Sequence, residues 1–279
     1  MTKGVSFDEM PQEVWTMADE ENIVLLCEDS LEGIFTGIYE AYALKRPHDG
    51  ISLQIAGEGD MLLFTTYRTV EPDSIKTEKV IRTLRSRFGD KDYFALCLAA
   101  AATASDKAQA VYKTVVWGLS GRRRGSILDH LADDNVRRTL ELSRGAGNEL
   151  HRMKEFLRFA ELEGGVLYAV IGPKDNVLPM LTVHFADRLP MENFVICDEN
   201  RKLYAIHPAG KDWFLMSGQD TPMRAGEEGL KMTAEEEYYQ ELFRHFCHKI
   251  SIEGRKNLKL QQNMLPLRFR NYMVEFVEK

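Results

Sequence analysis

Apolar positions along the chain change spacing several times, and each change predicts an element. Ile23 to Cys27 is an aliphatic run short enough for a strand. Leu31, Ile34, Phe35, Ile38, Tyr39 and Tyr42 then recur at three- and four-residue steps, which keeps one helix face apolar; Asp29-Ser30 stands at the N-cap and Pro47 lies beyond the end. Ile51–Ile55 and Met61–Thr66 read as short strands around Gly57 and Gly59. Val80, Ile81, Leu84 and Phe88 give another helix, and Asp92 to Leu119 carries one or two more. The helical pattern resumes from Ser126 to Glu163, with a break expected near Gly145 and Gly147. Within it Leu150, Met153, Leu157 and Ala160 form an apolar stripe, with Arg152, Lys154 and Arg158 off it.

The period then shortens. Val166–Ile171 reads as a strand closed by Gly172-Pro173, and Val177–Leu189 as a helix with Pro179 in its first turn, where proline is tolerated. Asn193–Cys197 and Lys202–His207 flank Asp198-Glu199-Asn200-Arg201 as a hairpin. Residues 217–230 read as a polar, glycine-containing loop, and Thr233 with Glu236 three positions on opens a helix to Lys249 as a capping box. The predicted class is α+β, helix-rich in its first half, with a strand-helix-hairpin block and C-terminal helices. The arrangement is either two regions, 1–121 and 122–279, or one continuous domain.

Composition narrows the classes. With 44% hydrophobic and 10% aromatic residues among 279, most of the chain can bury a core and is not disordered. No apolar run approaches the roughly 18 residues of a membrane span, and the acidic first twenty residues lack the basic-then-apolar order of a secretory signal. The expected location is therefore cytoplasmic, away from membranes. Cys27, Cys97, Cys197 and Cys247 are far apart and mostly flanked by aliphatics, which reads as free buried thiols. The net charge of −7 argues against coating nucleic acid through bulk charge. Its distribution is uneven: nine acids against Lys3 within residues 1–32, five basic residues against Glu253 within 251–270, and the triple Arg122-Arg123-Arg124 between glycines.

No phosphate-binding G-x-x-x-x-G-K-[ST] and no G-x-S-x-G elbow occurs. Gly145-Ala146-Gly147 begins a dinucleotide fingerprint, but Leu150 occupies the third glycine's place. Glu241, His245 and His248 share a helix face, but zinc needs three or four converging ligands and no fourth is visible in the sequence, so neither metal nor cofactor is assigned. His184, Asp187 and Arg188 also share a face; a histidine beside an aspartate can transfer protons, and equally can be a hydrogen-bonded histidine at a packing seam. Gly254-Arg255-Lys256-Asn257 with Lys259, Gln261, Gln262, Asn263, Arg268 and Arg270 is dense in groups that bind phosphate oxygens and base edges, or is a solvated tail.

Several of these segments carry a resemblance. His151-Arg152-Met153-Lys154-Glu155-Phe156-Leu157-Arg158-Phe159, then Gly165 to Ala169, Asn176 to Pro179, His184-Phe185-Ala186-Asp187-Arg188, Gly254 to Asn257 and Met264 to Arg268 occur in the same order in a bacterial family of unknown biochemical function, labelled DNA metabolism or DNA repair proteins. Asp29 to Tyr42 is similar to that family's start, so the resemblance covers nearly the whole chain. It implies a gene neighbour encoding a radical-SAM DNA-modification protein and, in some members, fusion to a uracil-DNA glycosylase-like domain. This chain has no C-x-x-x-C-x-x-C triplet, so any radical-SAM chemistry would fall to the partner. The family carries no established catalytic residues.

The leading expectation is a DNA-binding accessory protein. In it Arg152, Arg158, Arg188, Arg255, Lys256, Lys259, Arg268 and Arg270 hold phosphates, and Asn257 or Gln262 touches a base or sugar. The alternatives are an enzyme acting on a base or nucleotide through His184, Asp187 and Glu155, and a protein-interaction scaffold that binds no nucleic acid.

Overall fold

The computed structural model describes residues 22–59, 63–121, 125–218, 223–227, 229–252, 254 and 257–276. The acidic residues before position 22, Met61, the Arg122–Arg124 triple, Arg255 and Lys256 lie outside them. Helices and strands mix in two separate sheets, an α+β fold. Among the described residues no helix is long and apolar enough to cross a membrane.

The chain divides into two compact units, Met1–Arg82 and Thr83–Lys279. The first is built on β1 (Asn22–Cys27), α1 (Leu31–Ala43), β2 (Ile51–Ile55), β3 (Thr65–Val70) and the start of α2 (Ser74–Phe88). Its three strands are all parallel in the order β2-β1-β3. Ile23, Val24, Leu25 and Cys27 of the central strand are all buried, which is why that segment is aliphatic rather than alternating. Ser30 caps α1, its hydroxyl accepting from the Gly33 amide at 2.9 Å. Gly37 lets α1 close on the sheet: a Cβ there would collide with the Cys27 thiol. The expected strand at Met61–Thr66 starts only at Thr65.

The second unit continues through α3 (Asp90–Ala101), α4 (Lys107–Leu119) and α5 (Asp134–Phe156). The break expected near Gly145 and Gly147 does not occur; α5 runs unbroken for 23 residues. Each glycine costs about 1 kcal/mol of helix propensity, which the buried stripe of Val136, Leu142, Ala146, Leu150 and Met153 outweighs. Asp133 caps the helix, accepting from the amides of Asn135 and Val136. Nor does the helix reach Glu163: the chain leaves it after Phe156 and forms β4 (Ala160–Leu162).

A five-stranded sheet follows, in the order β4-β5-β6-β7-β8, with β5 (Val166–Ile171), β6 (Asn193–Asp198), β7 (Leu203–His207) and β8 (Phe214–Ser217). Only β5 and β6 run parallel, joined by α6 (Leu178–Arg188); the hairpin β6-β7 is as the sequence predicts. The edge strand β8 carries no alternation, all four of its residues being exposed, so its pattern could not announce it. One sheet face packs Ile171, Phe194, Ile196 and Ala205 against Leu150, Met153, Leu181, Phe185 and Phe269. The other carries a smaller cluster of Leu162, Tyr168 and Cys197, with Ala225, Leu230 and Met232 against it. The remaining helices are α7 (Ala234–Ile250), α8 (Leu258–Met264) and α9 (Leu267–Arg270). At α7 half of the capping box forms: Thr233 Oγ1 accepts from the Glu236 amide at 3.1 Å, while the Glu236 carboxylate takes Gln240 and the Thr233 amide donates to Glu161.

Candidate nucleic-acid interface

Strand alternation aims Tyr168 and Val170 away from the main core, onto the thinly covered sheet face. Over that face lies a cavity of about 450 Å³, lined by Arg158, Tyr168, Arg224, Gln240, Arg244 and Tyr272 among others. Its walls come from four places: the exit of α5, strand β5, the 224–227 turn with one face of α7, and the segment after α9. On α7, Glu237, Gln240 and Arg244 are spaced three and four apart, which brings all three to the cavity side.

The wall is held by its own hydrogen bonds. Tyr168 donates its hydroxyl hydrogen to the Met223 carbonyl at 2.7 Å and accepts from the Cys197 thiol at 3.3 Å, which fixes its ring. Burial pushes the Tyr168 and Tyr272 hydroxyls well above the usual phenol range and the Cys197 thiol up to about 11, so all three stay protonated near neutrality. Tyr272 bonds to the Glu199 carboxylate, and its ring lies under the Arg224 guanidinium, 5.4 Å from centroid to charge centre. Arg224 donates to the Asn271 carbonyl at 2.7 Å and lies 3.7 Å from Glu199. Gly172 packs against Tyr272 so closely that a Cβ there would overlap the phenol oxygen.

The three arginines are unequally committed. Arg158 is tied to Glu275 at 3.0 Å and to the carbonyls of Glu155 and Leu157. Arg224 is half engaged by its tyrosine and carbonyl. Arg244 has no ion pair or hydrogen bond to any described residue. Glu227 and Glu237 also line the cavity, and Arg158 and Arg224 are balanced by Glu275 and Glu199, so Arg244 is the lining guanidinium without a described carboxylate partner.

Of the phosphate-contact and acid/base candidates read from the sequence, Arg158 is the one that lines this cavity. Arg152 is half-buried on α5 and Arg188 exposed at the end of α6. Asn257 caps α8, its side-chain oxygen accepting from the Leu260 amide at 3.0 Å, and Lys259 is exposed on that helix. Arg268 pairs with Glu149 and lies over the Phe269 ring; Arg270 lies over Phe276. Arg255 and Lys256 lie outside the described residues.

Of the acid/base candidates, His184 and Asp187 share α6 and feel each other's charge, while Glu155 sits on α5. Glu155 pairs with His151 at 3.1 Å. His184 meets the Phe185 ring edge-on at 5.1 Å and Asp187 is exposed. Partial burial, then the charges of Lys154 and Arg188, lower the His184 pKa against the opposing pull of Asp187. His245 and His248 are exposed on α7, and among the described residues no group of three or more His, Cys, Asp or Glu is arranged to hold a metal.

Sequence reasoning passed over Arg224, Gln240, Arg244 and Tyr272. For Gln240 and Arg244 the helical spacing from Glu237 was a usable signal. For Arg224 and Tyr272 none existed, because they meet across 48 residues only once the sheet has formed.

No curated protein matches the chain. A family model described as a domain of unknown function, DUF4130, matches residues 105–275, a stretch that contains every residue lining the cavity. Since that match spans 171 of the 279 residues, the chain belongs to the DUF4130 family.

Proposed function

We propose that this protein binds nucleic acid in DNA metabolism, taking one nucleotide of a strand into the cavity above β5, in the cytoplasm and as the accessory partner of a radical-SAM DNA-modification enzyme. The observation that carries the binding role is Arg244, a cavity-wall guanidinium with no described partner, beside Arg224 and two fixed tyrosines. The volume, about 450 Å³, suits a ligand of nucleotide size. Guanidiniums supply phosphate contacts, Tyr272 a stacking surface, and Asn271 with the side-chain oxygen of Gln240 polar groups for a base edge. The partner is supported by the sequence resemblance.

The test is binding of labelled single- and double-stranded DNA to the full chain across a salt series. Affinity should fall steeply with salt, and Arg244→Ala should weaken it while lowering the salt slope by about 1. Absence of binding to either form at low salt would overturn the reading. Co-purification with the radical-SAM partner tests the second half separately.

A further inference from the structure

The α7 helix is amphipathic in the reverse sense. Its polar side, Glu237, Gln240 and Arg244, faces the cavity wall. Its apolar side faces solvent: Tyr239 is 61% exposed, Leu242 49%, Phe243 39%, Phe246 55% and Ile250 58%. These five fall at i, i+3, i+4, i+7 and i+11, so they form one continuous stripe. The chain beyond adds exposed Ile252, Leu258 and Leu260. Isolated exposed apolar residues are ordinary; a helix-long stripe of large ones marks a contact surface.

The charges on the same helix specify the occupant. Its first turn holds Glu235, Glu236 and Glu237, and its last holds His248 and Lys249. Two copies laid antiparallel, centred between Leu242 and Phe243, bring Tyr239 opposite Phe246 and the exposed Glu235 to the partner's C-terminal turn beside Lys249. Every acidic end then meets a basic end, and the helix dipoles oppose favourably. Parallel pairing would stack three glutamates on three glutamates. A patch that complements itself under a twofold rotation is an isologous dimer seam.

We infer that α7 is the seam of a homodimer, two copies packing this helix antiparallel through Tyr239, Leu242, Phe243, Phe246 and Ile250. The seventeen residues span about 25 Å. The cavity-lining side of each helix points away from the seam, so association leaves both cavities open. The inference does not depend on what the cavity binds.

Sedimentation velocity of the full chain, taken to tens of micromolar, tests it. The wild type should be dimeric, and Phe243→Glu with Phe246→Glu should raise the dimer dissociation constant at least about tenfold with an unchanged circular dichroism spectrum. Glu235→Lys and Lys249→Glu should each weaken the dimer, and the two together should recover much of the loss. A wild-type monomer at these concentrations overturns the inference, as does a dimer indifferent to the phenylalanine changes. A charge-swapped double variant no tighter than either single one rules out the antiparallel register.

Discussion

The Arg268 guanidinium lies 2.9 Å from the carboxylate of Glu149, an ion pair that joins the C-terminal segment to α5. Glu149 is only 5% exposed and also accepts the Lys174 amide at 2.8 Å, so one carboxylate holds together α5, the turn after β5, and α9. An arginine read from sequence as a phosphate contact is thus already occupied. Arg268→Ala would leave a buried carboxylate with one partner fewer, a loss of about 1–3 kcal/mol. Denaturant unfolding should show that loss, while the salt slope of DNA binding should stay unchanged once the variant is folded.

Arg158 and Arg244 face the same cavity but should separate in experiment. Arg158 is tied to Glu275 and two carbonyls, so Arg158→Ala should lower the unfolding midpoint as well as DNA affinity. Arg244 makes no such contacts, so Arg244→Ala should weaken DNA binding with a stability change within about 0.5 kcal/mol. Equal thermal shifts in the two variants would contradict the assignment.

Gly172 reports on the cavity wall from behind. Gly172→Ala would drive Tyr272 off its bond to Glu199 and from beneath Arg224, an overpacking strain of about 1–3 kcal/mol. Fluorescence quenching or stacking-dependent affinity for single-stranded DNA should drop with it. Gly172→Ala combined with Tyr272→Phe should recover part of the stability, because the colliding oxygen is gone.

His184 supplies a pH prediction. Its pKa is held below 6.5 by partial burial and by Lys154 and Arg188, so the fold disfavours the imidazolium. Its contribution to stability is therefore complete above pH 6.5 and declines as pH falls through 6.5 toward the native value. An NMR titration should place the midpoint below 6.5, and Lys154→Ala should move it upward. In His184→Gln the acid-side decline should be shallower.

Local pattern determined much of this protein. The aliphatic run of β1, the Ser30 cap and stripe of α1, the strand-helix-hairpin from Val166 to His207, and the start of α7 at Thr233 were all legible, because each depends on side chains within a few residues of one another. Where local rules erred, tertiary packing had overridden them. Two glycines predicted a break that the buried stripe of α5 suppresses, and β8 exists only because β7 offers it an edge to pair with.

The functional surface divides the same way. Basic residues were visible as residues, but which of them are free was not: Arg268 and Arg158 are drawn into ion pairs with Glu149 and Glu275, far away in sequence. Arg224 and Tyr272 likewise stack across a distance that no spacing rule spans. A side chain's charge is a property of the sequence, whereas its availability depends on which distant carboxylates and rings the fold brings beside it.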